Sequence, residues 1–172
     1  MILKICMKMQ IFLYERGTIL TAAQKKWLTW SLAVGWMIVI FLFSAQQADE
    51  SAKLSGGVLK YLIGAVSAFI PSDEINQDLI HFFVRKGAHF GVYGVLGLLV
   101  ANAVYTTRGK WDVKTTILII FICMFYAATD EIHQIFVPGR AGMLQDVLID
   151  TLGASAGCLL FWFLTRAYNV AH

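Results

Sequence analysis

Charged residues and prolines are scarce in this chain of 172 residues. Asp, Glu, Lys and Arg make up only 15% of it and two prolines are present, whereas 58% of the residues are hydrophobic and the mean hydropathy is +0.67. This apolar share exceeds that of an ordinary soluble domain and indicates a lipid environment. The net charge is only +3, so the composition gives no support to nucleic-acid binding.

Cysteine is also rare, and its pattern excludes two kinds of stabilised small domain. The chain has three cysteines, Cys6, Cys123 and Cys158, and two of them lie inside apolar runs. An odd number without regular spacing gives no disulfide or zinc framework, and a thiol within an apolar run usually packs as a small hydrophobic group.

Long apolar runs dominate what is present. A transmembrane helix needs roughly 20 mostly apolar residues, because its backbone polar groups must all be satisfied within the segment. Four stretches qualify, near residues 27–43, 87–105, 115–132 and 147–164. The predicted fold class is therefore all-α: a polytopic integral membrane bundle of four transmembrane helices. Residues 25–172 form its transmembrane domain, and residues 1–24 are an N-terminal segment to which the sequence assigns no structure.

Lys and Arg near the span ends predict the orientation, since positive charge favours the cytoplasmic side. They precede span one, crowd the loop between spans two and three, and follow span four: Lys25, Lys26, Arg108, Lys110, Lys114 and Arg166. Both termini are therefore expected in the cytoplasm, with the loops 44–86 and 133–146 outside. The predicted location is a bacterial cytoplasmic membrane, with the lipid bilayer as the first partner.

The first outer loop shows a helical pattern of its own. Apolar residues recur at helical spacing between Ala52 and Ile70, which predicts an additional interfacial helix in this loop. Pro71 ends it. Ser72 is a suitable N-cap for a further helix that continues into span two, which then projects above the membrane.

Polar residues gather at the outer ends of three spans. On span two, Lys86, His89 and Tyr93 share one helical face, and Arg85 also shares a face with His89. On span three, Asp130, His133 and Gln134 lie on one side and Glu131 is expected to point elsewhere.

Span four carries Asp146 and Asp150 one turn apart, followed by a small-residue stripe at Gly153 and Gly157. Ionisable groups cost on the order of 2.5 to 3.5 kcal/mol at the centre of a membrane helix, so they normally face the bundle and pair. We therefore expect the acidic residues to form one mutually neutralising cluster with Arg85, Lys86, Arg140 and the histidines.

Four sequence blocks carry a family resemblance. They read FSAQ (Phe43–Gln46), RKGAHFGVYGVLG, DEIHQIFVPGRAGMLQD and DVLIDTLGASAG. In order and spacing they resemble the VanZ-like membrane proteins over nearly the whole chain. By matching position, the resemblance implies these characteristic polar residues: Gln46, Lys86, His89, Tyr93, Asp130, Glu131, His133, Gln134, Arg140, Asp146 and Asp150. Where family members often have Glu before the span-two Tyr and Asn in span four, this chain has Val92 and Asp150.

The resemblance implies a cell-envelope function, because the founding member of the family is associated with resistance to the glycopeptide teicoplanin. The hypothesis is a protein that binds or modifies an anionic lipid-linked or wall-related molecule at an extracytoplasmic polar pocket, and so lowers glycopeptide susceptibility. Its alternative is a non-enzymatic membrane interaction protein whose polar cluster only stabilises the helix bundle. The sequence leaves open whether the chain is an enzyme, which cofactor it uses, and whether it forms a homo-oligomer.

Histidine beside carboxylates suggests proton transfer, because its ordinary pKa of about 6.5 allows proton exchange near neutral pH. The candidate catalytic residues are His133, Asp130, Glu131 and His89. The candidate substrate-binding residues are Gln46, Arg85, Lys86, Tyr93, Gln134, Arg140, Asp146 and Asp150. Arginine offers a fork suited to phosphate or carboxylate.

Two other chemistries have weaker sequence support. A divalent metal could take ligands from His89, His133, Asp130 and Asp146, but DEIH is not the HExxH pattern that places two histidines on one helical face, so no metal ligand is predicted. Ser44, Thr129 and Thr151 lie near polar residues, yet none sits in a nucleophile elbow.

Overall fold

The computed structural model describes residues 20–46, residue 57 and residues 77–171. Within these residues the chain forms four α-helices and no strand: α1 (Ala22–Ser44), α2 (Gln77–Arg108), α3 (Val113–Gln134) and α4 (Leu144–Ala171). Each helix is long and apolar enough to cross a membrane, so the predicted all-α bundle of four spans is confirmed. The interfacial helix predicted between Ala52 and Ile70, and the Ser72 cap, lie outside the described residues.

The helices are longer than the apolar runs from which they were predicted. The membrane-spanning parts are Ala22–Ser44, Phe82–Arg108, Val113–Gln134 and Leu144–Tyr168. Helix α2 has 32 residues, which at 1.5 Å per residue is about 48 Å, well beyond the ~30 Å of a hydrocarbon core. The extra length lies at its N-terminal end, as expected for a helix that projects above the span.

Side-chain caps determine where two of the helices begin. Thr21 and Gln24 form a reciprocal capping box at the start of α1, in which the Thr21 amide donates to Gln24 Oε1 at 2.8 Å. Asp112 caps α3, and its carboxylate accepts from the Thr115 amide at 2.7 Å and from the Thr115 hydroxyl at 2.8 Å.

Helices α2 and α4 form the most extensive interface of the bundle. Small residues on both helices allow the two backbones to touch, with Gly157 against Gly94 and Gly97 against Ala154. The predicted small-residue stripe of α4 therefore serves close helix packing. Towards the C-terminal end of α4, Phe161 packs against Tyr105 and the Trp111 ring.

Helix α1 lies against α2 and α3 through a few directional contacts. The Trp36 indole donates to the Val92 carbonyl at 3.0 Å, and the Tyr126 hydroxyl donates to the Met37 carbonyl at 2.6 Å. Large apolar side chains cover the outer surface of all four helices, among them Ile38, Phe121 and Leu159. An apolar exterior around a bundle of spanning helices is what a membrane-embedded protein presents to lipid.

The Asp112 cap makes the stability of the protein sensitive to acid. Hydrogen bonds from Thr115 lower the pKa of Asp112 from 3.8 to about 2, and Lys110 at 3.3 Å acts in the same direction. A carboxylate whose pKa is lowered by folding stabilises the protein above its unfolded pKa, and this stabilisation is lost as the pH falls through the folded pKa.

We therefore expect wild type to be more stable than Asp112→Asn at neutral pH, and the difference to disappear between about pH 4 and pH 2. Thermal unfolding in detergent at pH 7, 5, 3 and 2 measures it. A difference that stays constant down to pH 2 would contradict the assignment of the cap.

Candidate functional site

Polar side chains from all four helices are enclosed at one end of the bundle. This end combines the C-terminal ends of α1 and α3 with the N-terminal parts of α2 and α4. We define the polar cluster by its nine residues: Ser44, Lys86, His89, Tyr93, Asp130, Glu131, Gln134, Asp146 and Asp150. Asp146 and Asp150 are completely buried, and Asp130 and Glu131 are each 4% exposed. Such burial of four carboxyl groups is unusual, because an ionised group loses its hydration there.

Two ion pairs join α2 to α4 within the polar cluster. Lys86 Nζ pairs with Asp146, and one helical turn further His89 Nδ1 lies 3.3 Å from Asp150 Oδ1. The three-residue spacing on α2 matches the four-residue spacing on α4, and the two helices run parallel, so they present the pairs in register. A histidine held by a carboxylate through one ring nitrogen has a fixed orientation, which leaves its other nitrogen available for chemistry.

Helix α3 supplies the other two carboxyl groups. Asp130 accepts from Gln134 Nε2 at 3.4 Å, one turn along the helix. The hydroxyls of Ser44 and Tyr93 lie near the same carboxyl group, although neither makes a hydrogen bond of regular geometry. Ser44 was not among the predicted site residues. The sequence signals for it were its place in the block Phe43–Gln46 and the polar residues nearby, which raised it only as a weak nucleophile candidate.

Glu131 corrects one sequence-based expectation. It was expected to point away from the face of Asp130, but both carboxyl groups are buried. Its carboxyl group lies within 4.8 Å of ligand atoms of His89 and Asp150, so Glu131 faces α2 and α4. The Met143 amide, just before α4, also donates to Glu131 Oε2 at 2.8 Å.

Arg85 and Arg140 lie at the edge of the polar cluster and not within it. Arg85 is exposed, and Arg140 is half-buried and donates to the Phe43 carbonyl at 3.4 Å. Burial and the nearby Arg85 guanidinium lower the pKa of Arg140, while Asp130 and Glu131 oppose the shift. Neither arginine forms an ion pair with any residue that the structure describes, so these cations do not neutralise the acidic residues in the way the sequence suggested.

Two further predicted site residues, His133 and Gln46, lie outside the polar cluster. The His133 ring stacks on Phe41 with ring centroids 4.6 Å apart, so this histidine faces α1. Gln46 follows the end of α1 and is half-buried; among the described residues its side chain has no hydrogen bond to the polar cluster.

Several buried polar atoms of this end have no hydrogen-bond partner among the described residues. They are Ser44 Oγ, Tyr93 OH, Asp130 Oδ1, Glu131 Oε1, His133 Nε2, Gln134 Oε1, Asp146 Oδ2 and Asp150 Oδ2. Buried polar atoms are nearly always paired, and an orphaned one costs about 1 to 3 kcal/mol. Their concentration at one end of the bundle favours a site that handles a ligand over a purely structural network.

The model of one protein family, VanZ/LLP1, matches residues 29–165 of the chain. This chain belongs to the VanZ/LLP1 family. The match includes most of each of the four spans and the whole polar cluster, so the resemblance inferred from the four sequence blocks is confirmed. No curated protein and no solved structure matches the chain.

Val92 occupies a position at which this VanZ/LLP1 chain departs from the pattern that the resemblance implies. This residue is partly buried and packs against the core near α1, and its carbonyl accepts from Trp36. An apolar side chain suits that contact. The Glu that the resemblance implies at this position is absent here, so among the described residues the buried carboxyl groups of this end come from α3 and α4.

Proposed function

We propose that this VanZ/LLP1 protein binds an anionic lipid-linked or wall-related molecule at the polar end of its bundle, on the extracytoplasmic side of a bacterial membrane. The observation that carries the proposal is the pair Arg85 and Arg140. The Arg85 guanidinium contributes to the lowered pKa of Arg140, and both arginines lack an ion-pair partner within the described residues. Two such cations at the edge of a buried site attract a phosphate or carboxylate.

The distribution of charge supports the proposed orientation. Lys25, Arg108, Lys110, Lys114 and Arg166 lie at the starts of α1 and α3 and the ends of α2 and α4, which is the end opposite to the polar cluster. Positive residues near short loops favour the cytoplasmic side. With both termini in the cytoplasm, the polar cluster faces outward, towards the compartment in which cell-wall precursors are assembled.

Next to the proposed anion site, the polar cluster supplies groups that could transfer protons to or from a bound molecule. His89 is oriented by Asp150, and the buried carboxyl groups Asp130 and Glu131 have free oxygens. In the enzyme version of the proposal, His89 or His133 moves a proton while the arginines hold the anionic group. A change in a wall precursor made in this way would lower glycopeptide susceptibility.

Expression in a teicoplanin-sensitive bacterium tests the proposal. We expect wild type to protect the host, and the variants Asp130→Asn and His133→Gln, and the double variant Arg85→Gln with Arg140→Gln, to return it to the sensitivity of the empty vector. The minimal inhibitory concentration is the measurement, with the amount of each variant in the membrane quantified alongside.

Arg166→Gln is the matched control, because Arg166 lies at the opposite end of the bundle, over the Trp162 ring. It should protect as well as wild type. Full protection by the level-matched Arg85 and Arg140 double variant would rule out these arginines as the anion site. No protection by wild type would show that the phenotype of the family's founder does not extend to this chain.

The alternative is a membrane interaction protein in which the polar cluster only stabilises the bundle. The Lys86–Asp146 pair and the hydrogen bond from the Met143 amide to Glu131 favour it, since both join neighbouring elements. In that case Asp130→Asn and His133→Gln reduce the amount of folded protein. Normal amounts with lost protection would count against this alternative.

A further inference from the structure

The two α3 and α4 carboxyl groups nearest to His89 form a group with the composition of a metal site. One nitrogen of His89 and one oxygen each of Glu131 and Asp150 lie within 4.8 Å of one another. The three residues come from α2, α3 and α4, so the chain positions each ligand on a separate rigid helix. This arrangement does not appear in the sequence as a motif, because no two of the three residues share a helix.

From this geometry we propose that His89, Glu131 and Asp150 bind one divalent transition-metal ion, of the Zn²⁺ or Mn²⁺ class. An imidazole with two carboxylates is a donor set that both ions accept, and three protein ligands leave a coordination position open for a water or a substrate oxygen. The site does not depend on the anionic ligand proposed above.

The free oxygens of the two carboxylates are the independent observation that points to an ion. Asp150 uses Oδ1 for His89 and has Oδ2 unpartnered, while Glu131 uses Oε2 for the Met143 amide and has Oε1 unpartnered. Each carboxylate therefore has one oxygen with a partner and one without. The bond from the Met143 amide is of the kind that orients metal ligands from outside the site, whereas the His89–Asp150 contact joins two of the proposed ligands.

The charge balance of the polar cluster also favours a cation. Four buried carboxyl groups have one ammonium group among them, and Lys86 is directed to Asp146 and not to the three proposed ligands. Buried carboxylates must be paired, bound to a metal or protonated. A divalent ion between Glu131 and Asp150 would satisfy both at once.

The separations are compatible with a site that closes on its ion. Ligand atoms about 2.1 Å from a tetrahedral metal are about 3.4 Å apart, so the widest separation must shrink by roughly 1.4 Å. Side-chain rotation of His89, whose side chain is 17% exposed, can supply a movement of this size without a shift of the helices.

Metal titration of the purified, tag-free full chain in detergent tests the proposal. After treatment with a chelator, wild type is titrated separately with Zn²⁺ and Mn²⁺, and bound metal is measured by elemental analysis. We expect one equivalent per chain, and an affinity at least about 100-fold weaker in each of Glu131→Gln, Asp150→Asn and His89→Gln. Asp130→Asn, a buried carboxyl group outside the three, and the double variant Cys123→Ala with Cys158→Ala should stay within about tenfold of wild type.

Thermal unfolding of wild type alone tests metal binding even if a ligand variant does not fold. An ion that binds only the folded state raises the unfolding temperature, and a chelator reverses the rise. We expect this with Zn²⁺ or Mn²⁺. Absence of stoichiometric binding and of any such rise in wild type, or unchanged affinity in all three folded ligand variants, would overturn the site and favour protonated carboxyl groups instead.

Discussion

Replacing Gly157 with leucine is expected to prevent the bundle from accumulating in its folded form. A Cβ atom at this position would collide with the Gly94 carbonyl and would lie 3.0 Å from the Leu98 amide nitrogen. Both are backbone atoms of α2, so no side chain can rotate away, and the helices must separate.

The expected cost is large because α2 and α4 form the main interface. Overpacking a tight contact usually costs about 1 to 3 kcal/mol, and a leucine against the backbone belongs at or above the upper end of this range. Proteins are typically stable by only about 5 to 15 kcal/mol, so a large share of the stability is lost. Membrane abundance and unfolding in detergent measure the effect.

Gly91→Leu is the matched control for this prediction. Gly91 lies on α2 one residue after Phe90, but nothing lies within 4 Å of the position its Cβ would occupy. This variant should accumulate like wild type, since leucine is also a better helix former than glycine. Equal abundance and equal unfolding of Gly157→Leu and Gly91→Leu would show that α2 and α4 do not approach this closely.

The four helices followed from the sequence because each span must satisfy its own backbone in lipid. Which helices pack against each other did not follow from the sequence. The stripe at Gly153 and Gly157 indicated that α4 packs closely against something, but Gly94 and Gly97 of α2 gave no sign that they were its partners. The choice of partner depends on the fit of two whole surfaces, which periodicity within one helix does not contain.

In the polar cluster too, the residues that share a face of one helix were predicted, and the contacts between different helices were not. Helical spacing correctly grouped Lys86 with His89 and Asp146 with Asp150, since residues three or four apart share a face. Glu131 was expected to point elsewhere because it lies outside the face that Asp130 shares with Gln134. In the structure α2 and α4 cover the side of α3 that carries Glu131, and the position of neighbouring helices is not contained in the periodicity of one helix.

The prediction that Arg85 and Arg140 neutralise the acidic residues was wrong for a physical reason as well. Arg85 and Arg140 were expected to pair with the acidic residues because basic and acidic groups were balanced at this end. In the structure Arg85 is exposed, and Arg140 is directed to the Phe43 carbonyl. The long Arg85 side chain gains hydration by reaching outward, and Arg140 has a backbone carbonyl as its partner, whereas the shorter aspartates cannot leave the interior. The result is an acidic interior with a basic edge, which is the feature on which both proposals rest.

The Lys86–Asp146 pair gives the second large effect that we expect. Asp146 is completely buried, so Lys86→Met leaves a buried carboxyl group without its cation. Breaking a buried pair by removing one partner typically costs about 3 to 5 kcal/mol. Asp146→Asn should cost less, because the ammonium of Lys86 is 12% exposed and can turn towards water.

The double variant Lys86→Met with Asp146→Asn is expected to recover most of the stability lost in Lys86→Met, because it removes the buried charge together with its partner. Unfolding of the four proteins in detergent completes a double-mutant cycle, from which the coupling energy follows directly. Lys110→Met is the control, since Lys110 pairs with Asp112 at an exposed site and its loss should have a much smaller effect. If Lys86→Met is as stable as wild type, Asp146 is neutral without its partner, and the charge argument for a cation at Glu131 and Asp150 loses its support.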